Sequence, residues 1–243
     1  MTSLSILTAS LNAAATLARL GADLLAQTDG DFCWIVIDGG STDGTLQALP
    51  EALRDRTVLI QEADFGIYDA LNKGLQRCTS SHYLVVGADD RLAPDAVARF
   101  KAVVASTDAD IVAASVRDTL QGGLAQPGRG SPWRRGQHAT ISHHSVGTLI
   151  RRSLHDTLGP YSRHFPIAAD HLFIKTAVQA GARVHLAPDF VAGEFTRGGV
   201  STQRYAQSQF EQALVQLRTE RWKSLQLLLF IARLLRHWRR FTA

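Results

Sequence analysis

The first apolar run, Leu4-Ser5-Ile6-Leu7-Thr8, predicts a short buried strand. Apolar positions then recur at helical spacing over 13–25, with Asn12 placed to cap that helix. A second run, Cys33-Trp34-Ile35-Val36-Ile37, predicts a strand that stops at Asp38-Gly39-Gly40-Ser41-Thr42-Asp43-Gly44, a turn-forming stretch. A strand follows at 57–61, a helix at 67–77 and a strand at 82–86. This alternation predicts a parallel, doubly wound α/β sheet. Ligands of such sheets bind beyond the carboxyl ends of the strands. Thr8, Asp38 and the pair Asp89-Asp90 all fall there.

Past Pro94 the pattern loosens. A strand is expected at 110–116, and the Gly- and Pro-rich stretch 120–137, with Trp133-Arg134-Arg135, reads as a long loop or hairpin. Residues 145–150 are strand-like, 170–180 helical, and 196–202 loop-forming by composition. Everything from Tyr205 onward has helical spacing. The chain divides into an α/β domain over 1–203 and a helical, basic and amphipathic region over 204–243.

Composition narrows the class. At 243 residues, with 45% hydrophobic and 20% charged, the chain is long enough for a sizeable core and reads as globular. Its formal charge of +4 is unevenly spread. Arg221, Lys223, Arg233, Arg236, Arg239 and Arg240 follow Glu220 with no acid among them, so the preceding body is nearly neutral. Nucleic acid is therefore not an expected partner, whereas an anionic partner for the tail is. Cys33 and Cys78 are far apart and unclustered, and no secretory signal is apparent at the N-terminus, which together suggest a cytoplasmic protein. The apolar stretch 225–232 is interrupted by Gln226 and is far short of the roughly 20 residues that span a bilayer.

Several groups could carry chemistry. Adjacent carboxylates such as Asp89 and Asp90 repel unless a cation or proton intervenes, and Mg²⁺ or Mn²⁺ commonly takes one or two carboxylates plus substrate phosphates. A solvated turn with Asp90 capping the next helix explains the pair equally well. Asp38 before two glycines suits hydrogen bonding to a base or ribose, and also suits plain turn formation. Asp64 and Asp69 at a helix start fit simple capping, and Lys73 fits an exposed helical position. His143-His144 and Asp170-His171 match no HExxH spacing. Asp170, isolated after Ile167-Ala168-Ala169, fits either a base with a raised pKa or a helix cap.

Taken in order, these segments resemble family 2 glycosyltransferases with the GT-A fold, and within them the bacterial exopolysaccharide transferases of the colanic-acid type. The resemblance rests on residues 4–12, 36–45, 64–74, Gly87-Ala88-Asp89-Asp90, Ser142-His143-His144, Ala168-Ala169-Asp170 and Gly198-Gly199-Val200-Ser201-Thr202. It implies a mostly parallel twisted sheet flanked by helices, with a C-terminal helical appendage. Thr8, Ala9 and Asn12 would border the nucleoside of a UDP- or GDP-linked sugar donor. Asp38 would bond the base, with Asp64 and Lys73 completing that end. Asp89 and Asp90 would match the DxD-type motif that binds Mn²⁺ or Mg²⁺, Asp90 as direct ligand. Asp170 would be the catalytic base of an inverting reaction. His143 and His144 would line the acceptor cleft, and Gly198, Gly199, Ser201 and Thr202 would cover the donor phosphates.

Two departures stand out. The acidic motif usually carries Asn, Asp or Ser before its pair, where this chain has Gly87 and Ala88. The base motif is often Glu-Asp, and Ala169 replaces the first acid. A catalytically inactive nucleotide-binding scaffold and a sugar nucleotidyltransferase are the alternative readings. The latter usually needs a Gly-rich basic loop after the first strand, where Ala13-Ala14-Ala15 stands. The expected acceptor is a saccharide, lipid-linked at the inner face of the plasma membrane. Trp222, Leu225, Leu228, Leu229, Ala232 and Leu235 form an apolar stripe beside the basic tail residues, the pattern of a helix that lies on an anionic membrane. The same stripe fits packing on protein.

Overall fold

The computed structural model describes residues 4–119, 122–128, 130–142, 144–195 and 203–236. Strand β1 (Leu4–Ser10) pairs in parallel with β2 (Cys33–Asp38) and β4 (His82–Val85), and β2 pairs in parallel with β3 (Thr57–Gln61). This is the parallel half expected from the strand–helix alternation. The other half is mixed. Strand β8 (Thr148–Arg151) is antiparallel to both β4 and β6 (Ile111–Asp118). The long β9 (Val184–Phe195) runs parallel to β6, and the two-residue β5 (Arg91–Leu92) closes the edge beside β9. A short β7 (Leu124–Ala125) pairs with β6, within the stretch expected to be a loop or hairpin.

Each face of the sheet is sealed by helices whose apolar stripe explains why they form. Helix α1 (Ala14–Leu25) buries Leu17, Leu20 and Leu24, and joins α3 (Ala96–Thr107) through Val97 and Phe100 around Trp34. On the opposite face α2 (Ile67–Arg77) and α6 (Ala169–Gln179) bring Leu71, Leu75, Phe173 and Ile174 onto Leu7, Ile35 and Ile37. The alternation of β1 distributes its side chains to the two faces, Ile6 to one and Leu7 to the other. Asp23 of α1 grips Arg91 through two bonds of 2.6 and 2.7 Å and accepts the Leu92 amide at 3.1 Å, which fixes β5.

Asn12 does not cap α1. Its φ of 50° removes it from the capping position, and its carboxamide oxygen instead accepts the Thr42 amide. The first helix amides are served by the turn after β2: Ala13 donates to Thr45 Oγ1 and Ala14 to Asp43 Oδ2. The residues 145–150 split into a 3-10 turn (Ser145–Gly147) and β8. The sequence pattern missed β9 because Pro188, Asp189 and Glu194 interrupt its apolar positions.

Past Pro94 the other helices among the described residues are the four-residue α4 (Pro132–Arg135), the five-residue α5 (Leu154–Leu158), α7 (Tyr205–Thr219) and α8 (Lys223–Arg236). The helix expected from Tyr205 onward is thus two helices. α7 belongs to the core. Val215 is fully buried in the α2–α6 cluster, Glu211 Oε2 accepts the Ile167 and Ala168 amides at 2.8 and 2.9 Å, and buried Lys175 pairs with Gln216 and Glu220. α8 is held more lightly, through Gln226 donating to the Trp133 carbonyl and Phe230 against Phe210. Trp222, Leu228 and Leu235 of the expected stripe are exposed, at 68%, 63% and 70%. Leu225 and Leu229 are half-buried.

This difference sets an expected outcome. Two hydrogen bonds to the Glu211 carboxylate and the burial of Val215 together contribute ~6 kcal/mol, against roughly 5–15 kcal/mol of total stability. A chain ending at residue 220 should melt cooperatively within a few degrees of the full chain by circular dichroism, and a chain ending at 203 should not. Equal melting of the full chain and the 203-residue chain would mean α7 is a mere appendage.

Candidate active site

Because β1, β2, β3, β4, β6 and β9 run the same way, their carboxyl ends share one edge. The antiparallel β8 begins at that edge, so the residue just before its turn, His144, arrives there too. So do the starts of α2, which follows β3, and of α6, which Tyr68 links to α2. Topology alone thus gathers residues distant in sequence.

The turn after β4 carries the acid pair. Asp90 is 2% exposed, so it is no solvated turn residue, and the next helix begins six residues later behind Asp95. Its Oδ2 accepts the Gly87 amide at 2.8 Å and lies 3.5 Å from His144 Nδ1. Burial pushes its carboxyl up to about 6; His144 and the Gly87 amide oppose this, and Asp89 adds to it. Both acids fold back over Gly87. A Cβ on that residue would sit 2.9 Å from Asp90 Oδ2 and 3.0 Å from Asp89 Oδ1, so glycine is the residue that leaves both oxygens room. Two carboxylate oxygens facing one small space, one of them deeply buried, form a donor set suited to a divalent cation that completes its shell from water and phosphate. Three-ligand clusters of His, Cys, Asp and Glu are absent among the described residues.

Asp170 lies in the first turn of α6, and its carboxyl accepts the Tyr68 hydroxyl at 2.7 Å. It does not occupy the cap position, which is Ala168; Glu211 accepts the amides of Ile167 and Ala168 just ahead of the helix. Burial raises the Asp170 pKa, against the Tyr68 hydroxyl, the His171 amide and the charge of His144. His144 therefore acts electrostatically on both Asp90 and Asp170, and its ring stacks at 4.8 Å and 3° on Phe195, the last residue of β9. Tyr68 stands there because α2 starts at Gly66, whose φ of 116° turns the chain into the helix while Asp64 Oδ1 accepts its amide at 2.8 Å.

At the ends of β1 and β2, Asp38 is fully buried. Its Oδ1 accepts the Gly40 and Ser41 amides and its Oδ2 the Ser41 and Ser10 hydroxyls. Burial alone would raise this carboxyl, yet those bonds hold it below its ordinary value. Ser41 Oγ in turn accepts the Asn12 amide at 2.8 Å. Thr8 is buried with its hydroxyl accepting Trp34 Nε1 at 3.1 Å, and Ala9 packs partly buried on the α2 face. Asp64 sits over Gly39, its Oδ2 2.6 Å from where a Cβ would be. Lys73 reaches back to the Ala63 carbonyl at 2.5 Å and to Glu62 and Asp69 at 3.3 and 3.5 Å. One group thus surrounds Asp38 with Asn12, Asp64 and Lys73 nearby, and a second joins Asp89, Asp90, His144 and Asp170. His143, Gly198, Gly199, Ser201 and Thr202 lie outside the described residues.

The profile of glycosyl transferase family 2 matches residues 5–180, which span every strand from β1 to β8 and both acid-bearing turns. The chain belongs to glycosyl transferase family 2. A PGL/p-HBAD biosynthesis glycosyltransferase of Mycobacterium bovis is 31% identical over 177 residues, covering 68% of this chain and 66% of that protein, just under two thirds of its length. Glycosyltransferase AglE of Haloferax volcanii is 24% identical over 165 residues, 65% of this chain and 54% of its own. Among solved structures, S. aureus TarS 1-349 aligns with a TM-score of 0.70 at 17% identity, covering 98% of this chain and 73% of that one. The mannosyltransferase PcManGT of Pyrobaculum calidifontis, in complex with GDP-Man and Mn²⁺, aligns at 0.62 and 19%, covering 96% and 64%. The fold is accordingly that of the GT-A transferases, with a mixed, curled sheet.

Within this family 2 chain, Tyr68, Phe195, Glu211 and Arg163 were not singled out from the sequence. Arg163 pairs with buried Asp69 at 2.6 Å and braces the start of α2. Only Tyr68 carried a signal, as an aromatic hydroxyl inside an otherwise acidic helix start. The other three depend on contacts more than 40 residues apart.

The acid pair predicts an unusual stability profile. The folded pKa of Asp90, about 6, exceeds its ordinary 3.8, so its stabilising contribution is present below about 3.8 and lost as pH rises through about 6. Asp90→Asn keeps an acceptor for the Gly87 amide and removes the buried charge. In EDTA at pH 8 it should raise the Tm by several degrees, worth ~2 kcal/mol, and the gain should vanish at pH 4. Thermal melts across pH check this; a pH-independent difference would place the charge elsewhere.

Proposed function

We propose that this chain is an inverting, metal-dependent glycosyltransferase that moves a sugar from a UDP- or GDP-linked donor to a hydroxyl of a saccharide acceptor. The observation that carries the proposal is Asp170, a carboxylate of raised pKa held by Tyr68 and sharing the field of His144 with the buried Asp90 of the acid pair. Structures of TarS with UDP and UDP-GlcNAc, and of PcManGT with GDP-Man and Mn²⁺, support the donor class.

The proposed division of work follows the two groups of residues. The Asp38–Ser41–Asn12 turn, with Thr8, Ala9, Asp64 and Lys73, borders the nucleoside, and Gly198, Gly199, Ser201 and Thr202 cover the diphosphate. Asp89 and Asp90 would hold Mn²⁺ or Mg²⁺, which would neutralise the departing diphosphate. Asp170 takes the proton of the acceptor hydroxyl as that oxygen attacks the anomeric carbon, and the C–O bond to the diphosphate breaks in the same displacement. Tyr68 bonds one carboxyl oxygen of Asp170 and so orients the other toward the acceptor. His143 and His144 border the acceptor.

In this reading the acceptor is lipid-linked and serves surface or exopolysaccharide synthesis at the inner face of the plasma membrane. The exposed Trp222, Leu228 and Leu235 beside Arg221, Lys223 and Arg236 support docking of α8 on anionic lipid. No helix of the described residues is long and apolar enough to cross a membrane. In sedimentation with anionic vesicles, the full chain should pellet, less so at high salt, and the chain ending at residue 220 should stay in solution. Equal pelleting of the two would remove α8 from the interface.

A screen of UDP- and GDP-sugars with Mn²⁺, scored for nucleoside diphosphate release and for anomeric configuration by NMR, tests the reaction. Asp170→Asn should cut turnover by about 10²–10⁴-fold while donor affinity stays within a few-fold. Full turnover in EDTA, or retention at the anomeric carbon, would overturn the proposal.

A further inference from the structure

A cleft of about 710 Å³ lies where α4 and the turn after it, α6, α7 and α8 meet. Asp38, Asp89, Asp90 and Asp170 do not line it. Among the described residues its walls carry Arg134, Arg135, Arg233 and Arg236 and not one acidic residue. Arg134, Arg233 and Arg236 form no ion pair among the described residues. Like charges gathered in a concave surface repel one another and concentrate a positive potential, which an anionic ligand relieves. Guanidinium groups suit phosphate oxygens in particular, because their fork of donors matches oxyanion geometry.

A second, independent observation points the same way. His171 lines the cleft and is 3% exposed. Its Nε2 accepts the Gln137 amide at 3.1 Å, so the ring proton sits on Nδ1. That Nδ1 is buried and has no hydrogen-bond partner among the described residues. A buried donor left without an acceptor costs about 1–3 kcal/mol, so this wall of the cleft holds polar capacity that the described residues leave unused. The cleft is also partly apolar. Leu229 and Ala232 of α8 line it, and Leu228 and Leu235 lie exposed on the same helix. A free phosphate uses the arginines alone; an amphiphile uses both.

We propose that this cleft binds the phosphate head of an amphiphile, with the arginines on the phosphate oxygens and the apolar tail along α8. His171 is the neighbour of Asp170 in the chain, so the bound group is set to anchor a lipid-linked acceptor beside the base. That role rests on the transferase reading, whereas the binding itself does not.

The test is calorimetric titration of the full chain, in EDTA, with dihexanoyl phosphatidic acid below its micellar concentration. Dihexanoyl phosphatidylcholine and inorganic pyrophosphate serve as the zwitterionic and lipid-free probes. Phosphatidic acid should bind at least ten-fold more tightly than either. The variant Arg134→Gln/Arg233→Gln should weaken it at least ten-fold more, with unchanged thermal melting and unchanged affinity for the nucleotide-sugar donor in Mn²⁺. Equal binding of phosphatidylcholine would mean an apolar groove without phosphate recognition, and equal binding of pyrophosphate a site for free phosphate; either overturns the proposal. So does phosphatidic acid binding that survives the double variant, or a parallel loss of donor affinity. A chain that binds phosphatidic acid as expected but no nucleotide sugar would retain the lipid site and lose the transferase reading.

Discussion

Asp170 is held in place by groups that lie far from it in sequence. Tyr68, 102 residues earlier, bonds its carboxyl, and Glu211, 41 residues later, ties down the Ile167-Ala168 segment that leads into its helix. Helix α6 has Ala168 at its cap position and no side-chain cap of its own. The amides of Ile167 and Ala168 just ahead of it need an acceptor, and burial makes leaving them without one costly. Glu211 meets the need from α7, which makes α7 a condition for the geometry of α6. Tyr68 depends in turn on Gly66 and on Asp69, itself braced by Arg163 and Lys73. The position of one carboxylate therefore rests on three helices, each tied to the next by a polar contact.

The same edge of the sheet concentrates charge where burial disfavours it. Asp38 answers that with four donors and stays below its ordinary pKa. Asp90 has one amide and a histidine at 3.5 Å, and its pKa rises. The contrast separates a carboxylate whose hydrogen-bonding capacity is spent on holding a turn from one left under-satisfied. Under-satisfied buried acids are poor contributors to stability and good partners for a cation or a proton. Strain of this kind is stored at sites that bind or react.

The parallel half of the fold was legible because its strands are short apolar runs ended by Gly-rich turns, as at Val36-Ile37-Asp38-Gly39. Local pattern also located Asp90 and Asp170 at strand and helix ends. It did not reveal β9, a strand with acids and a proline in it, whose pairing with β6 shifts register between Ala114 and Val116. Nor did it reveal that Asn12 takes φ 50°, since a residue of good capping chemistry was read as a cap while the real donors and acceptors came from Asp43 and Thr45 across the turn. The division of the C-terminal helices was invisible for a related reason. Both α7 and α8 are amphipathic, and only the long-range partners of Glu211, Val215 and Gln216 distinguish a helix that completes the core from one that leaves Trp222 and Leu235 in solvent.

The two departures from the family pattern have a steric origin in this chain. Ala169, where an acid is often found, is 1% exposed within the cluster of Tyr161, Phe165 and Phe173. A glutamate there would bring a charge into an apolar core with no partner. Gly87 has two carboxylate oxygens at 3.0 Å or less from its missing Cβ, and Ala88 packs against the other core. A side chain at 87 would have to displace the acids it precedes. Neither position has room for a further carboxylate, so Asp170 has no acid before it in the chain and Asp90 has Asp89 alone. In the proposed reaction, loss of Asp170 would therefore be felt in full, since no acid beside it could take the proton in its place.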